Sequence, residues 1–294
     1  MSKAGRRQIL WAAALSAALA GPALAGEQAM AGGSQRLASV APEAKATIDL
    51  AYEMRFWFIP FGHTTFRGVF ANNTYQASSY FKTSGLVSVF WQAEIDAGAS
   101  GNVETRSVAP YVYDSFATRS SEKKQRVKLT YDGKGPPKLF AKPAYNTKQF
   151  PVPVEEQEKG VDPMSAVTLI VSGLSADAKN PCGTVAPVFD GRRRYNVEFT
   201  YLEDQPFKLE NGLYNGQAHL CRIRYHQIAG YKQEILNGDK SKWPPIFALV
   251  ADIPDASAPL AHYVVPLKMW AKTEWGTVTV ELSMLKTHGE TTKG

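Results

Sequence analysis

Residues Asp162 to Tyr201 read DPMSAVTLIVSGLSADAKNPCGTVAPVFDGRRRYNVEFTY, and this stretch decides the fold. Asp162 suits a helix N-cap, because its carboxylate accepts from the orphan N–H groups of the first turn. Pro163 suits the first helical position, where its missing N–H costs nothing. Met164, Val167, Leu169, Ile170 and Val171 supply an apolar run, and Gly173 can close the helix in a left-handed conformation. Pro181-Cys182-Gly183 follows, then a short apolar strand through Val188 and Phe189. Asp190-Gly191 reads as a tight hairpin turn into the alternating run Tyr195, Val197, Phe199, Tyr201. The stretch predicts one short helix over 163–172, set between strands.

Period-two alternation dominates on both sides of it. From Ile48 the apolar positions are Ile48, Leu50, Tyr52, Met54, Phe56 and Phe58, with Asp49, Glu53 and Arg55 between them, which predicts a strand with one buried face. Ile59-Pro60-Phe61-Gly62 reads as its turn. Strands are predicted over 63–71 and 74–83, split by Asn72-Asn73, and more weakly over 92–96, 103–116 and 126–131. Gly85 to Trp91 is apolar without alternation, as a short helical turn or a buried corner would be. Downstream, Cys221, Ile223 and Tyr225, then 246–253, then Tyr263 to Met269, and last Val278 to Met284 read as further strands. Between the halves, residues 133–161 carry Pro136, Pro137, Pro143, Pro151 and Pro153 and then Glu155, Glu156 and Glu158. Such a run cannot be a central strand and reads as a long connection. The predicted fold is mainly β: one long curved antiparallel sheet, or half-open barrel, wrapping a single short helix. A closed sandwich is the competing packing.

The ends and composition bound where the protein works. Lys3, Arg6 and Arg7 precede an apolar segment over 9–20, and Ala23-Leu24-Ala25 is a small-residue cleavage site, so residues 1–25 read as an export signal. The apolar segment is shorter than the about 20 residues a membrane span takes. Arg6-Arg7 also has a twin-arginine look, which leaves the export route open. Removing 25 of the 294 residues takes three of the 33 basic residues and none of the 27 acidic ones, so the formal charge falls from +6 to +3. The basic pI is thus partly a targeting effect, and nucleic acid is not implied. Residues 26–44 read as a flexible arm, 45–287 as a single β-rich domain and 288–294 as a tail. The expected localisation is periplasmic, with no transmembrane segment in the mature chain. In that oxidising compartment Cys182 and Cys221, the only cysteines, are expected to form a disulfide; two buried free thiols are the alternative.

Four pieces carry a family resemblance: Tyr52 to Gly62, Thr83 to Ser88, Asp162-Pro163-Met164-Ser165-Ala166, and Phe189-Asp190-Gly191-Arg192-Arg193-Arg194-Tyr195. In this order, over nearly the whole mature chain, they resemble an exported bacterial family called domain of unknown function 3108. The resemblance implies a periplasmic, mostly β protein with no established chemistry, and a cysteine pair in some members only. The shape it implies is similar to that of periplasmic lipoprotein carriers, an unclosed barrel around a helix; this step is an analogy of fold.

No catalytic constellation is visible: there is no nucleophile elbow, phosphate loop or zinc helix. The five histidines are scattered. His219 and Cys221 share a strand face but His226 falls on the other, so no metal site and no cofactor are expected. Arg192, Arg193 and Arg194 with Arg222 and Arg224 could form a basic strip for an anionic headgroup or an acidic partner; a solvated strand face with partners such as Glu198 is the plainer alternative. Trp57, off the core face of the first strand, and Trp243, in a Pro-Pro loop, point to a contact surface. The functional expectation is a non-enzymatic envelope protein that binds a lipid-like or lipoprotein ligand, or an envelope partner as a scaffold. The alternatives are an envelope enzyme with a site assembled from distant residues, or a purely structural β domain.

Overall fold

A computed structural model of the chain describes residues 46–85, 88, 92–119, 123–177, 179–183, 185–238 and 244–289. The expected signal segment and arm, most of the 85–91 run, and Trp243 lie outside the described residues. Alternation becomes strand as expected: β1 (Ala46–Phe56) buries Ile48, Leu50, Tyr52 and Met54 on one face. The turn that follows differs from expectation. It passes through Trp57 and Phe58, so that Phe56 lies opposite Ile59 and Arg55 opposite Pro60, after a slip in register at Met54. Ile59 to Gly62 therefore opens β2 (Ile59–Ala71), and Phe58 stands at the turn, not on the buried face.

Asn72 and Asn73 both take positive φ, as a two-residue hairpin turn into β3 (Thr74–Thr83) requires. Then come β4 (Ala93–Val103), β5 (Val108–Arg119), β6 (Lys123–Thr130) and β7 (Lys138–Lys142). β4 runs past the weak strand read at 92–96, because its AGASG stretch lacks the bulky residues that signal a strand. Those small residues have a packing reason: Ala97 and Ala99 are buried, and the helix packs across β3, β4 and β5. The second half comprises α1 (Val154–Glu158), α2 (Pro163–Val171), β8 (Val185–Phe189), β9 (Arg194–Lys208), β10 (Asn215–Ala229), α3 (Gln233–Leu236), β11 (Ile246–Pro254), β12 (His262–Thr273) and β13 (Gly276–Gly289). His288 and Gly289, read as the start of a tail, still pair with β1 as the end of β13.

The thirteen described strands form one antiparallel sheet in the order β7-β6-β5-β4-β3-β2-β1-β13-β12-β11-β10-β9-β8. It is two meanders fused at the β1–β13 ladder, where Ala46 lies opposite Gly289. The sheet is open, with β7 and β8 as its edges. The 133–161 connection is more structured than expected, for it contains β7 and α1. β7 keeps to the edge, where flanking prolines are tolerated. At the other edge Val161 bridges Val188 in parallel, with Val161 N–H donating to the Pro187 carbonyl at 3.0 Å and Phe189 N–H to the Val161 carbonyl at 2.8 Å. The β8–β9 turn reaches back to the far edge of the sheet: a Cβ on Gly191 would stand 2.7 Å from Leu139 Cδ1 of β7. Side-chain packing closes this seam without a ladder.

α2 fills the hollow. Asp162 caps it as read, its Oδ1 accepting from Ser165 N–H at 2.9 Å with Pro163 in the first turn. All its residues except Val167 and Ile170 are buried, and it packs on β3, β4, β5, β8 and β12. Leu50, Met54, Phe81, Tyr113, Leu129, Met164, Leu174, Tyr263, Leu267 and Leu282 belong to this core, each with at most a trace of water-accessible surface. Beyond the helix, Cys182 bonds Cys221 of β10 with S–S 2.02 Å and Cα–Cα 6.1 Å, so the expected disulfide is present.

Candidate functional site

The residues singled out by sequence fall into separate places. The Asp-Gly-Arg-Arg-Arg-Tyr turn is built for the seam. Asp190 is buried and its Oδ1 accepts from the N–H groups of Arg192 (2.9 Å) and Arg193 (2.6 Å), an Asx turn. Burial pushes the Asp190 carboxyl up, and the Arg193 charge partly opposes this. The Arg192 guanidinium lies 5.7 Å from the Tyr145 ring centre, and Arg193 lies 5.2 Å from that of Tyr231. Arg194 is only 4 % exposed. It donates to the Tyr195 carbonyl at 2.6 Å, to Asn196 Oδ1 at 2.7 Å and to the Glu156 carbonyl of α1 at 3.1 Å. Burial lowers its pKa from the usual arginine value.

Arg194 is therefore a strut between β9 and α1, which corrects its reading as a surface contact. Arg222 and Arg224 sit apart on β10, opposite Thr200 and Glu198 in register. Glu198 itself bonds His226 at 2.5 Å, the cross-strand arrangement expected of a solvated face. The five arginines thus do not converge on one strip.

A buried polar chain joins helix to sheet. Asp162 Oδ2 accepts from Ser165 Oγ, which in turn is 2.6 Å from the Tyr75 hydroxyl of β3. Burial raises Asp162 to about 6, against the opposing hydrogen bonds from Ser165. All three side chains are sealed from solvent, so no substrate reaches the serine. Sequence reasoning used Asp162 only as a cap; the Tyr75 partner, ninety residues away, had no local signal.

His219 and His262 flank the same carboxylate, their Nε2 atoms lying 3.6 and 4.0 Å from the Asp252 oxygens. His219 Nδ1 meets Asp204 at 2.5 Å, and His262 Nδ1 meets the Leu260 carbonyl at 2.9 Å. Among the described residues no group of three or more His, Cys, Asp or Glu side chains is arranged to hold a metal ion. A shallow groove of about 300 Å³ lies over β1–β4, lined by Asp49, Thr65, Arg67, Ser78, Tyr80 and Asp96 among others. Arg67 crosses it to Asp49 in a forked pair at 3.0 and 3.1 Å.

The remaining feature is aromatic. Trp57, Phe58 and Trp275 are 58 %, 79 % and 59 % exposed, on the β1–β2 and β12–β13 turns. These turns are neighbours, because β1 pairs with β13. Trp57 has φ 55°, a left-handed conformation that costs an L-residue roughly 1–2 kcal/mol. It is held there by its N–H donating to the Thr277 carbonyl at 2.7 Å and by stacking on Phe56 at 6.1 Å and 3°. Its indole lies where a Cβ on Gly276 would stand, 2.2 Å from Nε1, so only glycine fits beneath it. Trp57 was read on a strand face; the structure puts it at a turn, joined by Phe58 and Trp275, which sequence reasoning did not single out.

One solved structure with a similar trace is the crystal structure of a β-barrel-like protein of domain of unknown function DUF1849 from Brucella abortus, at 9 % identity and TM-score 0.48, covering 83 % of this chain and 99 % of that one. No curated protein matches the chain. The profile of the family described as "Protein of unknown function (DUF3108)" matches residues 51–283, and the chain belongs to that family.

Proposed function

We propose that the protein is an exported, non-enzymatic scaffold of the cell envelope that docks a partner surface through the aromatic turns at one end of its sheet. The observation that carries this reading is the held exposure of Trp57. A strained backbone is kept only where the surroundings over-determine it, and here they hold an indole toward solvent. The export segment at 1–25 and the disulfide support a periplasmic setting.

The hollow between helix and sheet argues against an internal lipid chain, since the side chains lining it are buried against one another and the helix. The sealed Asp162–Ser165–Tyr75 chain likewise speaks against hydrolytic chemistry there. A fractionation experiment tests the reading. Envelope-associated protein, crosslinked in cells, should shift to the soluble fraction when Trp57→Ala and Phe58→Ala are combined. An unchanged distribution of that variant overturns it.

A further inference from the structure

We infer that the surface docked by these turns is an anionic lipid leaflet; this deepens the scaffold reading and rests on it. Trp57, Phe58 and Trp275 occupy the tips of short turns and project from the end of the sheet. Projecting tips suit a deformable interface. The residue types match as well, for aromatic side chains with an apolar body favour the headgroup level of a bilayer.

Charge supplies the sign. Antiparallel pairing puts alternate connections at opposite ends of the sheet. At the aromatic end, strand termini and connections carry Lys124, Lys142, Arg192, Arg193, Lys232 and Lys272. Of the acidic groups there, Glu53 pairs with Arg55, Glu94 with Lys82 and Glu156 with Lys159, and Asp190 is buried in its turn, while Glu155, Glu234 and Glu274 are exposed. At the opposite end Asp132 pairs with Lys138, and exposed Glu104 and Glu210 are matched by exposed Arg106 and Lys134, so that end has no cationic excess. The molecule is thus polarised, with its aromatic tips on the cationic end, which draws them toward negatively charged headgroups and away from neutral ones.

The test uses the exported, disulfide-intact protein and sedimented vesicles. Vesicles containing phosphatidylglycerol should bind it, with binding weakened by salt, and vesicles of phosphatidylcholine alone should bind at least tenfold less. Trp57→Ala with Phe58→Ala should lower binding at least tenfold with unchanged far-UV circular dichroism. Tyr111→Ala, which removes an exposed aromatic near the other end, should leave it intact. Absence of vesicle binding, equal binding to neutral lipid, or an equal loss with Tyr111→Ala overturns the inference. If the double variant leaves the envelope in cells while pure lipid never binds the wild type, the lipid assignment fails and docking to a protein partner stands.

Discussion

Asp162 shows how one side chain can serve two purposes with opposing energetics. As a cap it stabilises α2; as a sealed carboxylate it prefers its proton. Its folded pKa of about 6 lies above the ordinary aspartate value, so between about pH 4 and pH 6 the folded chain holds more protons than the unfolded one. Stability from this group is full below that window and falls as pH rises through it, by about 3 kcal/mol if no other group compensates. Asn keeps the cap without the charge. Urea unfolding at pH 4.5 and 7.5 should therefore show Asp162→Asn gaining on the wild type at the higher pH by about 2–3 kcal/mol. A difference between the two proteins that does not change with pH would refute the assignment. The cap itself was legible from Asp-Pro-Met-Ser; the burial and the Tyr75 hydroxyl were not, because a contact ninety residues distant leaves no mark on local spacing.

At the scale of elements, α2 is a plug whose sides differ. Leu169 is buried in the core, whereas Val167 is 39 % exposed. Leu169→Ala should cost about 2–5 kcal/mol in denaturant unfolding and Val167→Ala less than about 0.5 kcal/mol. Equal costs would mean the helix does not present the face described. Strands were legible where bulky residues alternate: nearly all of β1, but only Tyr195–Tyr201 of β9 and Val278–Met284 of β13. β4 was not, because the small residues that let it receive the helix, Ala97 and Ala99, are those that weaken a strand signal. The β1–β2 turn was misplaced for a related reason: Pro60 and Gly62 look like turn residues, but register and the left-handed Trp57 put the bend two residues earlier.

For the whole molecule, the disulfide ties the segment after α2 to β10 across 39 residues. Restricting the unfolded chain in this way contributes about 4 kcal/mol on a loop-entropy account. Reduction, or Cys182→Ser with Cys221→Ser, should lower Tm by roughly 10 °C. Melts that coincide with and without reductant would show that the link contributes nothing. The cysteine pair and the curved sheet around one helix were readable from compartment and periodicity. The aromatic end was only half readable, since Trp57 stood out as an apolar residue among polar ones, while Phe58 looked like ordinary alternation and Trp275 lay between two predicted strands.

The fusion of two meanders at β1 and β13 has a consequence for biogenesis. β1 finds its second neighbour only when β13 has been made, so a long stretch of nascent chain is synthesised with a bare central edge. A product cut short before Gly276 would not merely fray at a border. It would expose the middle of the sheet on both sides of the break, adding β1 and β12 to the edges β7 and β8 as templates for aggregation.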